Sequence, residues 1–308
     1  PVVINYNMRS LIPKIKNFCK DIDNRMVDVA FLTEVWEKLE NKKHQHKLEE
    51  MLEMKGIKYI STPQPGAKRG GGAAIAVKLE KFSISKLNIS IPKSIEVVWG
   101  IVKPKTASGK INLIICCCFY SPPKSRKNPI LIDHVTMTLQ SLLTQYPNAG
   151  VIISGDRNKM DMNLLLSIDS ALKQIVNLPT RGLNILDVIL TNLGSFYEEP
   201  EIIPAITPDV PNKGVPSDHS GAFVTPHCSS EPKKVTKIYK TVRPLPESRI
   251  GEFGYSLSRV DWSFLETKMT STELVEKFQS FTQNLVNEIF PEKNVIISQN
   301  DQPWFCLL

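Results

Sequence analysis

Strand-length apolar runs recur along this chain with helical patterns set between them, and no other feature constrains its fold as strongly. Residues 2–6, 27–33, 57–61, 73–78, 82–89, 95–103, 111–120, 150–155, 186–191 and 222–225 read as strands. Leu11, Ile15, Phe18 and Ile22 follow helical spacing, with Pro13 suited to a first turn. Residues 46–55 look helical, Ile132, Val135, Leu139, Leu142 and Tyr146 share a helical face, and 163–175 reads as a further helix. Each apolar face must be covered by another element, so many strands with a few inserted helices predict a layered α/β domain. Cys116, Cys117 and Cys118 are consecutive inside one run, so successive side chains point to opposite faces of a strand.

Composition changes after Thr225. The stretch 226–234 is polar and turn-rich, a boundary signal. Beyond it 250–260 suits a helix. Leu274, Phe278, Phe281, Leu285 and Ile289 line one face of 273–290, with Thr270 and Glu273 placed for a capping box and Pro291 ending the run. The expected division is 1–226 as the main domain, 227–246 as a linker and 247–308 as a helical segment. The chain opens without an initiator Met inside an apolar run and ends abruptly on Trp304-Phe305-Cys306-Leu307-Leu308, so it is expected to be a fragment.

Several classes are excluded. No run of about 18 apolar residues is present, so no membrane-spanning helix and no membrane partner are expected. There is no phosphate-loop Gly-x-x-x-x-Gly-Lys pattern. The 6 cysteines lack Cys-x-x-Cys spacing, which argues against zinc and for reduced thiols in an intracellular compartment. A net charge of +7 and a pI near 9.0 suit a polyanionic partner. The basic residues are dispersed, with local concentrations at Lys14/Lys16/Lys20, Lys42/Lys43, Lys124/Arg126/Lys127 and Lys233/Lys234.

The polar residues at the ends of the apolar runs carry the chemistry: Asn7, Glu34, Tyr120, Asp156 with Asn158, Asp187, and Ser217-Asp218-His219. Strand ends are where a sheet offers side chains to a ligand. Phosphodiester hydrolysis needs a divalent cation, an activated water and stabilised charge on the phosphorane and leaving oxygen. Glu34 suits a hard cation such as Mg²⁺; a strand-end glutamate is also ordinary exposed surface. Asp156 and Asn158 share one side of an extended segment and can orient a water and a phosphate oxygen; a plain Asp/Asn turn is the equal alternative. His219 can donate a proton near neutral pH. Asp187, a charge inside an apolar run, needs a partner and suits the orienting role. Tyr120 is either packing or a phenol aimed at phosphate. Arg69-Gly70-Gly71-Gly72 either lets backbone approach a ligand or makes a turn. His44, His46, His134 and His227 have no partner at metal-ligand spacing.

Taken in order, Asn7-Met8-Arg9-Ser10-Leu11, Leu32-Thr33-Glu34-Val35-Trp36, Arg69-Gly70-Gly71-Gly72, Tyr120-Ser121-Pro122-Pro123, Gly155-Asp156-Arg157-Asn158, Leu186-Asp187 and Ser217-Asp218-His219 resemble the endonuclease/exonuclease/phosphatase superfamily. Over about residues 1–225 the wording is most similar to the apurinic-type endonuclease domain of non-LTR retrotransposons (LINE elements, jockey-like). Pro179-Thr180-Arg181-Gly182 before Leu186-Asp187-Val188-Ile189-Leu190-Thr191-Asn192 is especially like that group. Asp261-Trp262, the amphipathic helix and Pro303-Trp304-Phe305 resemble the segment that joins endonuclease to reverse transcriptase in such elements.

The resemblance implies a DNase I-like fold, a four-layered two-sheet α/β sandwich with its site at the sheet edges, here with a C-terminal helical extension. It implies Mg²⁺, or Mn²⁺, held by Glu34 with Asp218. Asp156 would orient or deprotonate the attacking water, Asn158 and Asn7 would fix water and phosphate, and Tyr120 would donate to the phosphate or leaving oxygen. His219, paired with Asp187, would stabilise the phosphorane charge; Arg9, Thr180 and Ser217 would contact substrate. The implied reaction is nicking of one strand of double-stranded DNA, leaving a 3′-hydroxyl that primes reverse transcription. Element RNA and a reverse transcriptase domain are the implied partners, and the nucleus the place of action. Two readings stand beside it: an abasic-site repair endonuclease or other phosphoesterase of the superfamily, and a catalytically dead DNA-binding remnant. The chain departs from the pattern at Arg9, where some relatives carry an acidic or amide residue, and at Arg157, where an aromatic is usual.

Overall fold

The computed structural model describes residues 1–37, 42–62, 70–106, 111–123, 125–227, 238–266 and 268–297. Arg69, most of the boundary stretch 226–234 and the Pro303-Trp304-Phe305 end lie outside them. The chain divides into two compact units, Pro1–Ser230 and Glu231–Leu308.

The first unit is built on two six-stranded mixed sheets. One runs in the order β11 (Glu201–Ile203), β12 (Gly221–Val224), β1 (Val3–Asn7), β2 (Val29–Thr33), β4 (Ala73–Lys78), β3 (Ile57–Thr62). The other runs β5 (Phe82–Lys86), β6 (Glu96–Pro104), β7 (Ile114–Tyr120), β8 (Gly150–Asp156), β10 (Asp187–Thr191), β9 (Lys173–Gln174). Among the described strands only β1–β2 and β7–β8 are parallel; each needs a crossover, supplied by α1 (Ile15–Asn24) and α3 (Asn128–Gln145). Helix α2 (Lys42–Glu53) precedes β3.

Strand alternation sorts the apolar side chains into three cores. Ile4, Tyr6, Ala30 and Leu32 face the helical layer of α1, with Phe18 and Ile22. Val97, Trp99, Cys117 and Phe119 face the α3 layer, with Val135 and Leu139. Val3, Phe31, Ile75, Cys116, Cys118, Ile152 and Ile189 fill the layer between the sheets. This is the four-layered α/β sandwich, and the cysteine triplet divides between two cores as a strand's period of 2 requires. Phe18, Phe31, Trp99 and Phe119 are essentially fully buried; each side chain of that kind contributes roughly 1.5–3 kcal/mol. The triplet thiols are free, and burial raises their pKa.

The helix expected over 163–175 stops after one turn, α4 (Asn163–Leu166). The Asp169 carboxylate accepts from the Ala171 N–H, forming a side-chain turn that competes with the helix. Gln174 then joins β10, its Oε1 accepting from Ile189 N.

In the second unit β13 (Ile238–Val242) pairs antiparallel with β14 (Lys293–Ile297), so a strand stands within the stretch expected as linker. Helix α5 (Glu247–Ser258) and α6 (Ser271–Ile289) form the helical extension. The capping box of Thr270 and Glu273 is present. Arg243 donates to the carbonyls of Val286 and Phe290 near the end of α6. Trp262, Phe264, Phe278 and Phe281 stack against one another. Among the described residues no helix is long and apolar enough to cross a membrane.

Candidate active site

Strand register assembles the site in rows. Glu96, Tyr120, Asp156 and Asp187 are successive cross-strand partners in the second sheet, so they share one face. That face is the inner one, because Val98, Cys118 and Ile189, each two residues away along these strands, belong to the core between the sheets. In the first sheet Asn7 is the partner of Thr33, and Val3 and Phe31 stand on the same inner face. The polar strand ends of both sheets therefore meet at one end of the inter-sheet layer.

Asn7 joins the two halves. Its Nδ2 donates to Glu34 Oε1 at 3.0 Å and to Asp156 Oδ2 at 3.0 Å. Its Oδ1 accepts from Arg9 N. Glu34 Oε1 also accepts from the Tyr120 hydroxyl at 3.1 Å, and Oε2 from Trp36 Nε1 at 3.2 Å. Asp156 Oδ1 accepts from Asn158 N at 3.0 Å, while Asn158 Nδ2 donates to Ser121 O. Asp187 Oδ2 lies 2.8 Å from His219 Nδ1, with both side chains buried.

The backbone around these groups is bent. Arg9, Ser10, Glu34, Trp36 and Asn158 all have φ between 39° and 82°, a region costing non-glycine residues roughly 1–3 kcal/mol each. Neighbouring bonds hold the bends: Ser10 N to Glu34 O, Leu11 N to Val35 O, and Trp36 N to Gly71 O. Gly70, Gly71 and Gly72 all have positive φ, and Gly72 N donates to the Glu96 carboxylate. A Cβ at Gly71 would collide with that carboxylate, so the glycine allows the backbone to approach Glu96 closely.

Electrostatics set the protonation states. Burial first, and Asp187 second, push the Asp156 carboxyl up to about 7, against the pull of His219, Asn158 and Asn7. Burial opposes charge on His219, yet its bond to Asp187 and the charges of Asp187, Asp156 and Asp218 hold its pKa above the ordinary value. Burial and then Glu34 raise the Tyr120 phenol, which stays protonated. Asp156, Asp187 and His219 each place a potential ligand atom within 4.8 Å of the others. Two carboxylates, Glu34 and Asp156, converge on one amide nitrogen, and Asp187 Oδ1 is buried with no hydrogen-bond partner among the described residues. Hard oxygen donors with negative charge in excess fit a divalent cation such as Mg²⁺.

The remaining expected residues stand elsewhere. Asp218 pairs with Arg181 at 2.5 Å, both partly exposed. Thr180 is buried, and its Oγ1 accepts from Leu186 N and Asp187 N, bracing the acid at the start of β10. Ser217 Oγ donates to Asn7 O at 2.6 Å, fastening the His219 loop to β1. Both hydroxyls are thus turned onto the protein's own backbone. Arg9 is half-buried, and its guanidinium has no hydrogen bond or ion pair among the described residues. Arg157 points away from the acids, donating to Ile185 O and Met160 O.

Glu96, in the row of Tyr120, escaped the sequence reading, and so did two further contributors. Lys14, counted there in a basic concentration, is fully buried and donates to the carbonyls of Met8, Arg9 and Ser10. Its signal was position, three after Leu11 and four before Phe18 on the apolar face. Asn5, the other, is a polar residue inside an apolar run.

No protein-family profile and no curated protein sequence matches the chain. Solved structures do. A mannosyl-6-phosphatase from Bacteroides thetaiotaomicron is 16% identical with TM-score 0.52, covering 73% of this chain and 98% of its own. A 3′-5′ exonuclease from Neisseria meningitidis is 12% identical with TM-score 0.51, covering 73% and 99%. An endonuclease/exonuclease/phosphatase family protein from Bacteroides thetaiotaomicron is 14% identical with TM-score 0.50, covering 72% and 96%. At these identities the likeness is one of fold, shared with a phosphatase and an exonuclease among others.

Proposed function

We propose that this chain is a divalent-cation-dependent endonuclease that nicks one strand of double-stranded DNA. The observation that carries the reading is the Asn7 amide held between Glu34 and Asp156, beside the Asp187–His219 pair. Mg²⁺ held by Glu34 and the neighbouring acids would neutralise charge on the phosphate. Asp156, with its pKa near neutrality, is suited to take the proton of the attacking water. The water oxygen bonds to phosphorus and the bond from phosphorus to the 3′-oxygen breaks, leaving a 3′-hydroxyl and a 5′-phosphate. His219, whose charged form Asp187 favours, donates to the phosphorane oxygens, and Tyr120 donates to the phosphate or the leaving oxygen. Asn7 and Asn158 hold water and phosphate in place. Asp218 on the rim is proposed to complete the cation site once it leaves Arg181.

The finer reading rests on the sequence wording around Pro179-Thr180-Arg181-Gly182 and Asp261-Trp262. The 3′-hydroxyl would prime reverse transcription of an element RNA, in the nucleus, with 247–308 leading toward a reverse transcriptase domain. Conversion of supercoiled plasmid to open circle, with Mg²⁺ or EDTA, tests the proposal. Wild type should nick only with Mg²⁺, and His219→Ala should lower the rate by about 10²–10⁴-fold. A folded wild type that cleaves only abasic duplex or a phosphomonoester shifts the reading to repair or phosphatase chemistry. DNA binding without cleavage identifies a dead remnant.

A further inference from the structure

Asn5 is fully buried in the inter-sheet layer, on the same face of β1 as Asn7 and two residues before it. Its neighbours there are apolar, among them Val3 and Phe31. Its amide nitrogen donates to two carbonyls of the opposite sheet, Gly155 O and Val188 O, both at 3.3 Å. Gly155 and Val188 are register partners, each adjacent in sequence to an acid of the site, Asp156 or Asp187. The side-chain oxygen of Asn5 has no partner among the described residues. A buried amide with an unpaired oxygen costs stability, and an apolar side chain of the same shape would avoid that cost.

What the amide provides is geometry. Asn7 holds β8 by the Asp156 carboxylate, and the bond from Tyr120 to Glu34 ties β7 across the same end. Asn5 adds a second attachment one residue away, and it ties β10 to the same point. We propose that Asn5 is a positioning residue: it fixes the Asp156 and Asp187 strand ends of one sheet against the Asn7 and Glu34 ends of the other. This rests on the endonuclease reading above only for its catalytic consequence; the positional claim stands without it.

The test uses the full chain as wild type, Asn5→Leu, Asn5→Ser and, as a core control remote from the acids, Cys116→Ala. Steady-state nicking, melting temperature and backbone amide hydrogen exchange are measured on each. In Asn5→Leu, which keeps the shape and removes the donors, kcat should fall about tenfold to a hundredfold with KM unchanged, because small misplacement of reacting groups costs that much. Its melting temperature should not fall. Exchange should quicken at 155–157 and 187–189 and stay unchanged at 115–117. Cys116→Ala should lose stability and keep kcat. If Asn5→Leu does not fold, Asn5→Ser carries the same expectations for kcat and exchange. Wild-type kcat and wild-type exchange at the acid-bearing strand ends would overturn the proposal, as would a loss of activity that merely follows lost stability. If wild type does not nick, the endonuclease reading fails, and the exchange pattern alone decides Asn5's role.

Discussion

In the middle of the inter-sheet layer Val3, Val29, Cys116, Ile152 and Ile189 meet through apolar contacts. Two to four residues further along the same strands, the layer consists of Asn5, Asn7, Tyr120, Asp156 and Asp187. Both stretches are buried. The middle is held by shape and gains free energy for each apolar group it covers. The end is held by directed hydrogen bonds, and it buries carboxylates that water would solvate better. That cost is visible in Asp156, pushed up to about 7, and beside it Asp187 Oδ1 has no hydrogen-bond partner among the described residues. One pair of sheets thus supplies the rigidity in its middle that keeps unfavourable charges together at its end, an arrangement expected of a preorganised site.

The comparison breaks if the end contributes to stability as the middle does, or if the middle contributes to activity. The largest expected effect is at the end. Glu34→Gln keeps the shape beside Asn7 and Tyr120 and removes the charge, and plasmid nicking should fall on the order of 10²–10³-fold without loss of melting temperature. Loss of stability with the activity would show that Glu34 is structural. The converse experiment is Ile152→Ala in the middle, which should cost about 2–5 kcal/mol in denaturant unfolding. Its kcat, measured well below the melting temperature, should stay at the wild-type value; a fall would mean the apolar middle also tunes the site.

The smallest effect sharpens the boundary between the two regions. Burial raises the Glu96 carboxyl from 4.5 to about 7, partly offset by its bond from Gly72 N. Between those values the unfolded chain releases this proton while the folded protein keeps it, so stability falls as pH rises through the interval. Glu96→Gln removes the titration and can still accept from Gly72 N. In EDTA its stability should match wild type near pH 4 and exceed it by roughly 2–3 kcal/mol at pH 8. An equal difference at both values would show that Glu96 is already ionised in the folded protein.

Much of this was legible in one dimension because its causes are local. Period-2 apolar runs mark strands wherever they occur, and a polar residue at the end of such a run, as at Asn7, Glu34, Tyr120, Asp156 and Asp187, marks a possible ligand edge. The Thr270 capping box likewise needs only residues three apart. Helix 163–175 was misread because the Asp169 side-chain turn and the pairing of Gln174 with β10 outweigh helical spacing.

The sequence by itself determined the elements, the faces they bury and the residue types at the strand ends, since each follows from spacing of a few residues. Only the tertiary structure decided which residues share a row, because register joins positions as far apart as Asn7 and Asp156. It turned Lys14 from a surface charge into a buried clamp, faced Thr180 and Ser217 inward, and paired Asp218 with Arg181. It also raised the Asp156 pKa, since desolvation and the field of Asp187 depend on what the folded chain brings close.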